Sequence, residues 1–596
     1  MVFESEREGV TGMRKDRIPR TALTGLGAVI GVVVGVAACA SSERRFPLRA
    51  PLWQDTDLRS VTLPCRRDPT KKDRAHISCA PEEYVSPLAW DGVDNMIFRP
   101  FVRVLAVDPG GEAVNVNSLD EVPDSAWFTN RLGVHPMSLE ELALGACDPS
   151  LLLEPETAAE GTWVIDSGKG NGSSAGFRVN IPGKGKYMFK AEPPEQPERP
   201  SAASVIGAAV YNAVGFYTSC ERVVYYPPSV LKLTPGLRYS ANLSEERDFD
   251  RKALDKIIND SPKRGKLTRV QASAWLPGRL IGPFRYVGTR ADDPNDVIAH
   301  EDRRELRGGR LLAAWLDHFD AREQNTMDAW IADRPGKPDS SPGFVRHYYL
   351  DTSDCLGSEW EWDGISRRLG LSYIVDWGDI GADFVTLGIP LRPWDRVRRM
   401  PGREIFGYFN VEEFVPENWK NEYPNAAFSR MTERDGAWMA RILSRFTPEM
   451  VSTLARMADF SDAGNTAYLA FVLEGRLERI LDRYLTRLSP VAEVHVEGKD
   501  QLCGVDLAEK RRVREAASFH YAARSANGVF LPVTYRGDAD ICVTLPRVAG
   551  DGGPADDAAE RYFTVTIEDG VAKGALVAHL YDLGPSRGYR LVGIER

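Results

Sequence analysis

The chain reads as an α+β protein, with a β-rich segment, a helical segment and a small β-rich tail. Three observations predict this. Residues 163–190 run strand, glycine-rich turn, strand, tight turn, strand, with apolar and polar side chains alternating. Residues 311–316 and 467–488 carry apolar side chains at helical spacing, the second run through Leu469, Leu473, Leu477 and Ile480. Beyond Pro490, six short runs rich in β-branched and aromatic residues are separated by Gly, Asp and Pro. A length of 596 residues implies more than one domain.

From the start of the chain, Glu4, Glu6 and Glu8 suit no targeting signal, whereas a start at Met13 places Arg14, Lys15, Arg17 and Arg20 before an uncharged run over 21–38. That run ends Val36-Ala37-Ala38-Cys39 and resembles a bacterial lipobox. The resemblance implies that 1–38 is a lipoprotein signal peptide and that the Cys39 thiol takes a diacylglycerol. The membrane is then a partner through a lipid anchor, each buried CH₂ contributing about 0.8 kcal/mol. The alternative is an uncleaved anchor, since eighteen uncharged residues can just span a bilayer. Ala40, Ser41 and Ser42 include no Asp of the kind that retains lipoproteins at an inner membrane. The expected place is therefore the bacterial cell envelope, at the outer membrane, facing the periplasm or the surface.

The 75 basic and 85 acidic residues leave a net charge of −10, which argues against nucleic acid as a partner. Of eight cysteines, 8 − 1 = 7 lie beyond Cys39. An oxidising compartment allows Cys65–Cys79 and Cys503–Cys542 bridges and leaves at least one thiol. No pair has the Cys-x2-Cys spacing of a structural zinc site.

Residues 39–90, rich in Arg, Pro and Ser, read as a tether. Residues 91–160 read as a docking region. Within it 96–107 alternates like a strand, 115–131 is a structured loop packed on a neighbour, and Ser138 caps a short helix.

In 161–280 the glycine-rich turn includes Gly168-Lys169-Gly170-Asn-Gly172. Glycines let a backbone approach phosphates with its N–H groups facing them. Gly170 and Gly172 are the candidate cradle, with Lys169 and Lys190, at the end of the third strand, as the cations. No Gly-Lys-Ser/Thr opens a helix, so this is no Walker loop. Residues 172–176 fit Gly-x-Ser-x-Gly, but a strand pattern follows where a nucleophile elbow needs a helix. A small-residue helix over 201–214, stopped by Gly215, contains no acid.

In 281–490 a charged block at 290–307 reads as a salt-bridged surface. The apolar run after it delivers Asp320, Asn325 follows five residues later, and a short strand over 348–350 delivers Asp351. Phosphoryl transfer needs such a set: one carboxylate to orient the attacking hydroxyl, and an amide and a second carboxylate to hold Mg²⁺. His318 is a candidate orienter and Asp354 a further ligand. The same residues also suit a capped helix-to-strand connection.

The glycine-rich turn, Lys190, His318-x-Asp320-x4-Asn325 and strand-borne Asp351, in that order, resemble the atypical protein-kinase-like group. That group holds HipA-type kinases, the spore-coat kinase CotH, Golgi casein kinases and type II phosphatidylinositol 4-kinases. The resemblance implies a two-lobed domain, with a β-rich N-lobe at 161–280 and a helical C-lobe at 281–490, followed by a small β domain at 491–596. It implies ATP and Mg as cofactors, Asp320 as the catalytic residue, Lys190, Lys169, Gly170 and Gly172 on nucleotide, and Asn325 and Asp351 on metal. The acceptor would be a protein, a lipid or a sugar. One departure stands out. The family's helix after the third strand offers a Glu to the strand lysine, whereas here Ser204 holds the matching position and Glu192, Glu195, Glu198 and Glu221 are candidate replacements. The departure supports a second expectation, an inactive pseudokinase acting as a binding scaffold. A nucleotidyl transferase is a third.

Overall fold

Short-range side-chain contacts make residues up to 105 helical where alternation over 96–107 predicted a strand. In the computed structural model, residues 88–105 form α1 (Leu88–Val93), a π-helical turn (Asp94–Phe98) and α2 (Arg99–Leu105). Asn95 Nδ2 donates to Asp91 O at 2.9 Å and Asp91 Oδ1 at 2.8 Å, and Arg99 pairs with Asp94 at 2.7 Å. Residues four and five apart meet this way only on a helix. The structure describes residues 46–48, 55–67, 77–105, 111–169, 175–240, 246–551 and 555–596. Cys39 and the apolar run before it, with Gly170 and Gly172, lie outside these. Among the described residues no helix is long and apolar enough to cross a membrane.

Part of the expected tether is pinned. Val61 bridges Gly343, Cys65 and Cys79 form a disulfide, and Leu63 and Ala80 share a small core with Ile281 and Trp330. Asp55 and Asp57 lie 3.0 and 3.7 Å from Arg303.

The alternation over 163–190 becomes an antiparallel meander of β1 (Trp163–Gly168), β2 (Gly176–Ile181) and β3 (Gly185–Lys190). Helix α3 (Arg199–Val214) follows, then β4 (Tyr217–Thr218), β5 (Glu221–Tyr226), β6 (Leu231–Leu233), α4 (Arg251–Asp260), β7 (Lys263–Arg264) and β8 (Leu267–Ala274). The sheet runs β7-β8-β3-β2-β1-β6, and β5 pairs with β8. Its apolar face packs Phe177, Val179 and Phe189 against Phe249 and α4. Every residue of α3 except Asn212 is buried, which its Ala and Gly content permits. The Cys147–Cys220 disulfide ties the residue before β5 to the segment before β1.

A second sheet, β9-β10-β11-β4, is built from β9 (Arg279–Leu280), the hairpin β10 (Thr326–Ala332) and β11 (Gly343–Tyr349), and β4, which joins β11 in parallel. Around it lie α5 (Arg304–Leu316), α6 (Trp377–Thr386), α7 (Glu433–Leu443), α8 (Pro448–Met457) and α9 (Ala463–Tyr484). Leu312, Trp315, Trp438, Leu473 and Leu477 share one core.

The charged block at 290–307 is a buried network, which corrects the surface reading. Arg303, Arg304, Glu305 and Arg307 are all at most 2% exposed. Each finds a partner from far along the chain: Arg304 meets Asp120 at 2.7 Å and Asn115 donates to Glu305. Sequence spacing does not reveal such partners. The 115–131 segment docks here too, with Trp127 stacked on His347 at 3.5 Å between ring centres.

After Pro490 come two antiparallel sheets. The first is β12-β13-β17-β16, from β12 (Val491–Glu497), β13 (Gln501–Asp506), β16 (Val533–Gly537) and β17 (Asp540–Thr544). The second is β15-β14-β18-β19-β20, from β14 (Ala522–Ser525), β15 (Phe530–Leu531), β18 (Tyr562–Glu568), β19 (Leu576–Asp582) and β20 (Tyr589–Glu595). Cys503 and Cys542 bridge neighbouring strands, and Arg596 reaches Asp120 at 2.7 Å. Cys355 is a buried free thiol.

Candidate functional site

Two chain turns and one strand end build the site. Helix α5 is drawn into the core by Leu311, Leu312, Trp315 and Leu316, and ends at Asp317 in the left-handed conformation, φ 57°. Asp317 Oδ1 accepts from Trp419 Nε1 at 2.8 Å, which fixes the exit. Asp320 is then buried. Asn325, in the turn into β10, donates from Nδ2 to Asp320 Oδ2 at 2.6 Å and to its carbonyl at 2.8 Å. His318 Nε2 lies 3.3 Å from Asp320 Oδ1, and its Nδ1 is 2.9 Å from Tyr211 Oη of α3. Asp320 Oδ1 is buried with no hydrogen-bond partner.

Asp351 follows β11 at φ 49° and ψ 55°. Asp tolerates this left-handed region better than most residues, and such backbone gathers at functional sites. The turn brings its carboxylate to Lys190 Nζ at 2.6 Å and to Ser353 Oγ at 2.6 Å. Asp354 accepts from Ser358 Oγ at 3.1 Å and lies close enough to Asp320 for the two carboxyls to act on each other. Arg199 holds this loop from behind, donating to Ser353 O and Cys355 O, both at 2.8 Å. A Cβ on Gly207 of α3 would stand 2.4 Å from Thr352 Oγ1, so only glycine admits the loop this close.

The structure therefore brings Lys190, Asp320, Asn325, Asp351 and Asp354 together, with Lys169 close enough to interact with Lys190 and Asp351. Gly176 is needed for that approach, since a Cβ there would meet Phe189 O at 2.4 Å and Lys169 Cδ at 3.3 Å.

Charge is tightly arranged. Burial opposes ionisation of Asp351, but Lys190 and Lys169 hold its carboxyl well below the usual range. Burial likewise opposes the Lys190 ammonium, and Asp351 and Glu221 outweigh it, raising its pKa. Lys169 is pushed down to about 8 by burial and by Lys190. Asp320 and Asp354 act as a pair. Burial and the neighbouring Asp320 push Asp354 far up, while His318 and Arg322 overcome the burial of Asp320 and keep it low. Asp320 thus carries the charge and Asp354 the proton.

Sequence spacing left the acid facing Lys190 open among four residues. Glu192 pairs with Arg269 at 3.1 Å, Glu198 accepts from Ser461, and Glu195 is exposed. Glu221 is the one that acts on Lys190, from across β8, accepting from Ser219, Ser273 and Gln271. Register between β3, β8 and β5 puts it there, and register is not written in the local pattern. Ser204 Oγ of α3 is buried without a hydrogen-bond partner.

Asp320, Asn325, Asp351 and Asp354 carry oxygen donors of the kind Mg²⁺ prefers, although the carboxylate oxygens of the three aspartates do not all lie within 4.8 Å of one another. A buried carboxylate beside a second carboxyl that keeps its proton is a place that added positive charge relieves.

No family model matches the chain, and no curated protein matches it. Among solved structures, the chain is similar to the proinflammatory kinase CtkA of Helicobacter pylori, with 11% identity and a TM-score of 0.28 over 54% of this chain and 95% of that one. A likeness that weak identifies neither fold nor activity.

Proposed function

We propose that the chain is a membrane-anchored envelope lipoprotein whose 161–490 region is a two-lobed, kinase-like, ATP- and Mg-dependent phosphotransferase. The observation that carries this is the meeting of Lys190 with Asp351 at 2.6 Å beside the Asp320–Asn325–Asp354 oxygen cluster. When bound, Mg-ATP supplies the transferable phosphoryl group and a cation that neutralises it. Asp320, ionised near neutrality, orients the acceptor hydroxyl and takes its proton. Asn325 and Asp351 present oxygens to the cation. Lys190 leaves Asp351 for phosphate oxygens, Lys169 lies beside it, and Gly170 and Gly172 supply backbone N–H groups. The acceptor is a protein, a lipid or a sugar.

A scaffold without catalysis is the second reading. It is supported by α3, which presents Ser204 where a kinase presents an acid, and by the pairing of Lys190 with Asp351 at 2.6 Å. Thermal melts with ATP, Mg²⁺ or both, on wild type and Asp351→Asn, test binding. The expected result is an upward shift of about 2 °C or more that needs both ligands and is lost in the variant. Release or transfer of label from the γ-position then separates enzyme from scaffold, and label retained from the α-position marks a nucleotidyl transferase. No shift under any condition removes the phosphotransferase reading.

A further inference from the structure

Large apolar side chains of residues 90–102 and of α6 and the residues after it find no core. Trp90, Ile97, Phe98, Phe101 and Val102 are 38–62% exposed. Helix α6 has no buried residue, and Phe384, Val385, Leu387, Ile389 and Leu391 at its end and beyond are 67–84% exposed. The two elements make one surface: Trp377 Nε1 donates to Met96 O at 2.8 Å, and its ring meets Phe101 edge-on at 5.5 Å. The base of α6 is fastened to the rest of the chain, and Arg392 from the loop after it holds Asp383 further along at 2.9 Å. Asp376 caps Gly378 and Asp379 and pairs with Lys420 at 2.5 Å. Large apolar side chains gathered this way are far from the scattered exposure of an ordinary surface.

The charge beside this surface names its occupant. Residues 384–403 hold five arginines (392, 396, 398, 399, 403) and one acid, Asp395, in a chain of net charge −10. Arg392, Arg399 and Arg403 pair with Asp383, Glu359 and Asp462. Arg396 and Arg398 make no ion pair among the described residues. An apolar tip with tryptophans at its base and uncompensated guanidiniums beside it matches an anionic bilayer interface. There, alkyl and aromatic groups enter the acyl boundary, Trp sits at headgroup level, and each Arg near the surface is attracted by lipid phosphate. We propose that α1–α2 and residues 377–400 dock on an anionic lipid bilayer, as a contact separate from any N-terminal anchor. The same arm is fastened beside the candidate site. Asp91 accepts from Tyr423 Oη at 2.6 Å and from Gln324 Nε2 at 3.3 Å, next to Asn325.

The test uses the full chain with an environment-sensitive fluorescent amino acid replacing Leu387, Ile97 or, as control, the exposed Val529. The probes are vesicles of phosphatidylcholine alone or with phosphatidylglycerol, each carrying brominated lipid as quencher. This readout reports the patch even when the N-terminal segment already holds the protein on the vesicle. Expected are a blue shift and quenching at 387 and 97 with phosphatidylglycerol and none at 529. Arg396→Glu with Arg398→Glu, both at the surface, should cut the quenched fraction by about half or more. Absence of quenching at 387 with phosphatidylglycerol overturns the proposal, as does a blue shift without lipid, which marks a protein contact. Equal quenching in both vesicles overturns its anionic character.

Discussion

The contact between Lys190 and Asp351 can be weighed by removing each partner with little change of shape. Lys190→Met and Asp351→Asn, alone and together, form a double-mutant cycle. At 2.6 Å and an effective dielectric of about 20, the gross attraction is about 6 kcal/mol. Removing the charges from water costs several kcal/mol per ion in a buried pair. The Lys190 side chain is 11% exposed and that of Asp351 33%, so water still screens the carboxylate and the pair keeps only part of the gross energy. We expect a coupling energy of about 2 kcal/mol, with each single variant destabilised and the double variant losing less than the sum. Urea unfolding at pH 7 measures it. The pH dependence has a definite sign. The depressed Asp351 makes its contribution above the unfolded carboxylate range and loses it as pH falls. The raised Lys190 keeps its contribution below the unfolded lysine range and loses it as pH climbs. Coupling should therefore persist across neutral pH and fade at both extremes. A coupling below about 0.5 kcal/mol at pH 7, within ordinary additivity error, would refute a true ion pair and the convergence built on it.

Three further outcomes follow from named contacts. Gly207→Ala sets a methyl against Thr352 and should cost about 1–3 kcal/mol in a urea melt while weakening nucleotide-dependent stabilisation, because the Asp351–Asp354 loop must shift. Asp120→Ala strips a shared partner from Arg304, Arg441 and Arg596 and should cost about 3–5 kcal/mol, with Asp120→Asn intermediate; a loss under about 1 kcal/mol would show that the cluster is solvated. Asp506, pushed up to about 6 mainly by burial, has a folded-state pKa above its unfolded one. Its contribution is present in acid and lost as pH rises through 6, so Asp506→Asn should gain up to about 3 kcal/mol on wild type between pH 4 and 8, measured by melts across that range.

Periodicity was enough where an element is decided by its own residues. The three strands to Lys190 and the long helix through Leu477 follow from side-chain spacing, because burial on one face rewards that spacing whatever the partner, and the all-round buried helix before Gly215 follows from its small residues and its glycine stop. It failed at 96–107, read as a strand, where the described part up to residue 105 is helical, its Ile97, Phe98, Phe101 and Val102 exposed and its start held by Asp91–Asn95 and Asp94–Arg99 contacts. It failed again at 290–307, where a solvated face was expected and Arg303, Arg304 and Arg307 are buried. Asp354 looked like a cap or a spare ligand, yet its proton is set by Asp320 in another segment.

The residues alone thus determined the α+β class and the chemical kinds available, namely lysines early and oxygen donors late. Only tertiary structure decided which of them touch. It selected Glu221 from four candidate acids, set Asp351 rather than α3 against Lys190, and gave the proton of the carboxylate pair to Asp354. The reason is that charge interactions act through space and depend on desolvation. Both are properties of strand register and close packing between segments up to 161 residues apart, as Lys190 and Asp351 are.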